Sequence, residues 1–327
     1  MLKQAFLKLS DLACTLPEHV GRSCAGAIGL LAAKAAGTQK KQLIETIDRV
    51  YHRFGKTPPR PMEQIVDQLY VHFALNAYEM LRAPIYSSPM LEKTFEFEGW
   101  EHVDEALQRK KGLILVVPHI GNWELLGAAI AFRGYKLHSF YMAQKENDLG
   151  ALLDHLRGHF RIRLHDRDRA GIGGLKALKS GEVLGMIADQ DGGNLAIYGD
   201  FLRHWVSIPA GPANWSLKTG APIIPLYSLR IGRTARYRAK FFPPLPEEHG
   251  SDHEERMIQR TRRILDWMEP IILEHPHQYL WFYDRFRPRH EGHIARLKKA
   301  GLVMRHGEMV YGGGSPRAPD APPARSL

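Results

Sequence analysis

The chain has 327 residues, 44% of them hydrophobic and 24% charged, as expected of a globular protein that buries one large α/β domain or two smaller ones. Lys and Arg number 45 against 35 Asp and Glu, and the net charge of +10 favours an acidic partner: nucleic acid, an anionic membrane, or an acidic protein or lipid head group. The two cysteines, Cys14 and Cys24, form no CxxC motif and argue against a disulfide framework and for a reducing compartment.

Residues 1–90 read as helical. Leu43, Ile47, Val50, Tyr51 and Phe54 recur at helical spacing. "TPPRP" at 57–61 breaks the pattern. A second helix follows with Met62, Ile65, Leu69, Phe73 and Met80 on its apolar side, stopped by Pro84. "CAGAIGLLAA", Cys24 to Ala33, is too short to span a bilayer and suits an interfacial or core-packed helix.

From about residue 95 the pattern alternates between β and α. "GLILVVP" (112–118) is an uninterrupted apolar run, the mark of a strand buried on both faces. A helix over 123–132 follows, then a strand at 136–142, a helix over 148–160, a short strand at 161–164, a helix over 171–180 and a strand at 183–188. A helix over 211–220, strands at 221–231 and 236–245, and a long helix over 252–274 complete the series. The rhythm predicts an α/β fold with a mainly parallel central sheet flanked by helices, occupying 91–305. The Gly/Pro/Ala-rich tail, 306–327, is expected to be disordered.

The chemistry-bearing residues cluster where strands end. His119 ends the first apolar run and Glu124 lies five residues on. On one straight helix the two would point about 140° apart. A strand-end histidine and a first-turn glutamate can meet if the chain bends between them. Gly121 permits the bend and Asn122 suits a helix N-cap. A carboxylate on one ring nitrogen would leave the other basic, as in the Ser-His-Asp triad. With no serine or cysteine adjacent, the proton would come from a substrate hydroxyl. Spacing alone leaves this reading level with a packing role for both residues.

"ADQDGG", 188–193, ends another strand. Asp189 and Asp191 should therefore face the same sheet edge as His119, yet point opposite ways, which suits binding or loop fixing better than a paired-carboxylate site. Gln190 lies between them. Arg167 and Arg169 in "RLHDRDRAGI" are candidates for holding an anion or polarising a carbonyl, with a solvated loop as the alternative. "HPHQYLWFYDRFRPRH", 275–290, interleaves aromatics with Arg285, Arg287 and Arg289. It fits single-stranded nucleic acid, an anionic membrane interface, or a packed strand with solvent-facing arginines. His155 and His159 have the i, i+4 spacing of two zinc ligands but no HExxH glutamate and no third ligand, so no metal is expected.

Taken in order, "HIGNWE", "DQD", "GPANWSLKTGAPIIPLY" and "HPHQYLWFYDRFRPR" resemble the bacterial lipid A late acyltransferases, the lauroyl and myristoyl transferases within the lysophospholipid acyltransferase group. The resemblance covers about residues 1–290 and is sharp after 95. It implies an O-acyltransferase with no cofactor, His119 as general base and Glu124 as its partner. The donor would be an acyl carrier protein or acyl-CoA, the acceptor an anionic lipid, and nucleic acid would not be a partner. It further implies that Asn122, Arg167, Arg169, Asp189, Gln190 and Asp191 shape the substrate site. The oxyanion would be met by backbone N–H groups near Gly121 and Asn122, or by Arg167. Residues 1–90 would associate with the cytoplasmic face of the inner membrane. Two departures bear on the acceptor. Pro276-His277-Gln278 stands where the family has Pro-Glu-Gln, and Phe201-Leu202-Arg203 where it has Phe-Phe-Gly. The acceptor implied by the resemblance is thus a lipid A precursor, a related glycolipid such as a mannoside, or a lysophospholipid or aminolipid; a thioesterase would use the same residues with water.

Overall fold

The computed structural model describes residues 2–141, 148–166, 170–192, 196–247, 252–286, 304–305 and 308–309. Arg167, Arg169, Arg287, Arg289 and nearly all of the 306–327 tail lie outside them. The chain opens with α1 (Leu2–Thr15), α2 (Glu18–Ala35), α3 (Gly37–Phe54), α4 (Met62–Leu81) and α5 (Ser88–Thr94). Next come β1 (Phe95–Glu98), α6 (Glu101–Gln108), β2 (Leu113–Val117), α7 (Trp123–Phe132), β3 (Leu137–Tyr141) and α8 (Asp148–Gly158). After these come β4 (Arg163–Asp166), α9 (Ala170–Lys179), β5 (Val183–Ile187), β6 (Ala196–Phe201) and β7 (His204–Pro209). The series closes with α10 (Gly211–Thr219), β8 (Ile223–Arg230), β9 (Tyr237–Phe241) and α11 (His253–Glu274).

Seven strands form one sheet in the order β1-β9-β8-β2-β5-β3-β4. Every pairing is parallel except β8 with β9. The uninterrupted apolar run of β2 sits in the middle, as a strand buried on both faces requires. Ile114 and Val116 join a cluster with Ile65, Leu69 and Leu265 on one face, while Leu113 and Leu115 join Leu126, Ile130 and Phe241 on the other. Helices α3 and α4 thus share a core with one face of the sheet. The register places Val117 beside Ile187, so β2 and β5 end level and deliver the residues after them to one edge.

Small residues let α2 approach α4. Gly21, Ala25, Gly29 and Ala33 are its buried positions, and a Cβ at Gly29 would lie 2.7 Å from the Val71 Cα. Away from this contact α2 leaves Ile28 62% and Leu31 65% exposed, and Leu9 and Leu12 of α1 are exposed as well.

Several elements depart from the sequence reading. The short strand expected at 161–164 begins at Arg163, because Arg161 takes a left-handed turn (φ +57°) after α8. β1 is an unexpected edge strand. The β6–β7 hairpin is likewise unexpected, since Gly199 and Asp200 interrupt its apolar pattern although all six residues of β6 are buried.

Candidate active site at the carboxyl edge of the sheet

His119 follows β2 and Asp189 follows β5, so the level strand ends set them side by side. Asp189 holds His119 twice. One carboxylate oxygen accepts the His119 backbone N–H at 2.7 Å and the other lies 2.6 Å from ring Nδ1. Burial alone would raise the Asp189 pKa. The His119 charge, the two bonds from His119 and the nearby Arg285 outweigh burial and hold the carboxyl below its ordinary range. An ionised Asp189 can only accept, so Nδ1 carries the proton and Nε2 is left as the base. The Asp189 side chain is 1% exposed and that of His119 14%, so the imidazole alone reaches the surface of the site. Trp123 packs edge-to-face on the imidazole, 4.8 Å between centroids, and fixes its plane.

The turn carrying His119 is stapled to the C-terminal segment. Gly121 N–H donates to the Gln278 carbonyl at 3.0 Å, and Leu280 N–H donates to the His119 carbonyl at 2.9 Å. Gly121 adopts φ +65°, and a Cβ there would lie 1.6 Å from the Ser228 carbonyl oxygen. Its own carbonyl accepts from Asn76 Nδ2 at 2.7 Å and His72 Nε2 at 2.9 Å. Burial, followed by Arg230, lowers the His72 pKa to about 3, so the imidazole is neutral and its Nε2–H donates. Tyr279, Trp281 and Arg285 are buried here, and Arg285 donates to the Ser207 carbonyl at 2.6 Å. Over its described residues, up to Phe286, the aromatic-basic segment is thus packed inward through Tyr279, Trp281 and Arg285 rather than forming an exposed strand.

Several expected site residues have other partners. Glu124 does not orient His119 here. It faces Arg157 of α8, whose Nε lies 3.1 and 3.0 Å from its two oxygens, because the first turn of α7 points the side chain toward α8. Asn122, expected to contact substrate, is buried and fully used: its Oδ1 caps Leu125 N–H at 3.0 Å and its Nδ2 donates to Glu79 at 2.7 Å. Gly121 N–H, expected near the oxyanion, is taken by Gln278. Asp191 accepts from Ser207 Oγ at 2.7 Å and ties the strand end to β7. Gln190 is half-buried beside it. His155 and His159 stack edge-to-face, and no group of three metal-ligating side chains occurs among the described residues.

Sequence reasoning missed the support beneath this turn. Glu79 is buried in α4 and accepts from Arg22 at 2.6 Å, Arg230 Nη2 at 2.8 Å, Asn122 and Tyr237. Burial would raise its pKa, but the two guanidinium groups and the Tyr237 bond lower it to about 2. One signal was available: Ile65, His72 and Glu79 are a heptad apart, so both polar residues lie on a buried stripe.

The bacterial lipid A biosynthesis acyltransferase family matches residues 5–288. The chain belongs to that family. A lipid A biosynthesis acyltransferase of Haemophilus influenzae is 23% identical over 85% of both chains. A lipid A biosynthesis myristoyltransferase of Escherichia coli is 22% identical over 73% of both. A phosphatidylinositol mannoside acyltransferase of Mycolicibacterium smegmatis is 22% identical over 65% of this chain and 69% of its own. The protein is thus an acyltransferase acting with an acyl donor and a lipid acceptor. None of its described helices is long and apolar enough to cross a membrane.

Proposed function

We propose that this acyltransferase moves a fatty acyl chain from a thioester, an acyl carrier protein or acyl-CoA, to a hydroxyl of a lipid A precursor or related glycolipid, with His119 as general base. The observation that carries the reading is the double hold of Asp189 on His119, which leaves Nε2 basic at the end of the central strand. Nε2 takes the acceptor proton as the acceptor oxygen attacks the thioester carbonyl. The tetrahedral intermediate collapses with loss of the thiolate, which takes the proton back from the imidazolium. The products are an ester and a free thiol, with no acyl-enzyme.

Negative charge on the carbonyl oxygen is met by the positive end of α7. Leu125 N–H is used by the Asn122 cap, while the N–H groups of Trp123 and Glu124 are first-turn donors with no intrahelical acceptor. Asp189 is the positioning residue for His119, while Glu124 pairs with Arg157. Gln190 is assigned to the acceptor side of the site, and Asp191 ties the strand end beside it to β7.

The exposed Leu9, Leu12, Val20, Ile28 and Leu31 of α1 and α2 rest these helices on the lipid surface without spanning it, at the cytoplasmic face of the inner membrane, where a soluble carrier reaches the site. Membranes supplied with labelled acyl carrier protein test the reaction. The reading expects one labelled lipid ester per thiol released, and the acceptor is identified by mass spectrometry. Thiol release with label in free fatty acid makes the protein a thioesterase and overturns the reading.

A further inference from the structure

We propose that a second site, separate from the His119 edge, binds a phosphate monoester in the cleft between Arg60 and Arg233. This does not rest on the reaction assigned above. The cleft holds about 560 Å³ and lies behind the His119 turn, sharing His72 and Gln278 with it but neither His119 nor Asp189.

Its walls carry Arg60, Arg230, Arg233 and Arg238, with Glu274 the sole acid. Arg230 is balanced by Glu79, and Arg238 lies 3.3 Å from Glu98. Among the described residues, Arg60 donates to the neutral Gln68 amide at 2.6 Å, and neither it nor Arg233 has an acidic partner. Two guanidinium groups therefore face the cleft from different elements: the 57–61 break before α4 and the loop between β8 and β9. That loop is held in place. Arg22 donates to the Arg233 carbonyl at 2.8 Å, Arg230 to the Thr234 carbonyl at 3.0 Å, and both arginines are anchored on Glu79.

Three further features fit a phosphate. The Arg230 Nε–H is buried without an acceptor in the protein. His275 and His277 also line the cleft. Burial, then Arg60, then His275 lower the His277 pKa to about 4, and burial lowers that of His275 despite Glu274. Both imidazoles are thus neutral in the protein alone, and a dianion between them and the arginines would draw protons onto them. Donors from several directions suit a tetrahedral dianion better than a planar carboxylate. Val71, Leu75 and Leu229 give the organic part of the ester an apolar wall.

The test titrates the full-length protein with inorganic phosphate and follows histidine ring resonances by NMR, assigned with His277→Asn. The expected result is a saturable shift of His277 and His275, weakened at least tenfold in Arg60→Ala/Arg233→Ala and unchanged in His119→Ala. Both arginines are exposed, and circular dichroism checks that the double variant folds. A shift that does not saturate, or saturates equally in the double variant, overturns the proposal. The source is read from two further arms. Glycerol 3-phosphate reproducing the shift while phosphatidate in phosphatidylcholine vesicles does not identifies a soluble ester. Displacement of inorganic phosphate by phosphatidate vesicles, lost in the double variant, identifies a lipid head group.

Discussion

Asp189→Asn separates the carboxylate that holds His119 from the one five residues downstream. The substitution keeps shape and removes charge. The Asn carbonyl can still accept the backbone N–H that Asp189 accepts at 2.7 Å, which turns its NH2 toward ring Nδ1, 2.6 Å away in the wild type. Nδ1 must then accept, the proton moves to Nε2, and the base is lost. The charge term alone is large. With charge centres about 4 Å apart and an effective dielectric constant of about 20, the carboxylate stabilises the imidazolium by about 4 kcal/mol. That is roughly a thousandfold in rate, and the wrong tautomer carries the loss toward the roughly 10⁴-fold seen for the equivalent change in the Ser-His-Asp triad. The assay is acyl transfer from a labelled thioester at saturating acceptor, with thermal unfolding as the folding control. Glu124→Gln, which disturbs a partly exposed pair with Arg157, is expected to cost far less. Asp189→Asn within tenfold of wild type, together with an inactive Glu124→Gln, would refute the reasoning and return the orienting role to Glu124.

Glu79→Gln leaves Arg230 and Arg22 without their buried counter-charge, and urea unfolding should show a loss on the order of 3–5 kcal/mol. Because Glu79 sits near 2 in the folded protein against an ordinary 4.5, its stabilisation is complete above about pH 5. That stabilisation, on the order of 3 kcal/mol, should disappear as pH falls toward 2. Urea midpoints measured from pH 7 to 3 should fall for wild type and change less for Glu79→Gln. Asn122→Ala removes both a helix cap and a bond to Glu79, so its cost in the same assay should exceed the roughly 1 kcal/mol of a cap alone. Gly121→Ala drives a methyl into the Ser228 carbonyl from a left-handed backbone, and both transfer activity and several degrees of melting temperature should be lost.

The central sheet was legible because its signal is local. The apolar run of β2 and the helix after it identify a buried parallel strand without knowledge of its neighbours. The site was legible to the level of the edge, since His119 and Asp189 both follow strands. Their pairing was not, because it depends on β2 and β5 being adjacent and level, a matter of register rather than pattern. Glu124 was level with a packing role on spacing and became the partner through the resemblance, yet the first turn of α7 aims it at Arg157 of α8. Glu79 went unseen for a related reason: its partners Arg22, Asn122, Arg230 and Tyr237 come from four other parts of the chain. Composition left the 275–290 segment open between a binding surface and a packed strand with solvent-facing arginines, whereas its backbone pairs with the His119 turn and its Arg285 is buried.

The most direct test of the account compares wild type and His119→Ala in a single turnover, with labelled acyl carrier protein and acceptor membranes. The account predicts that wild type forms labelled lipid ester in step with free carrier thiol, with no label on the protein itself, and that His119→Ala forms neither above background. Equal ester formation by both proteins, or label trapped covalently on the wild-type chain, would contradict it.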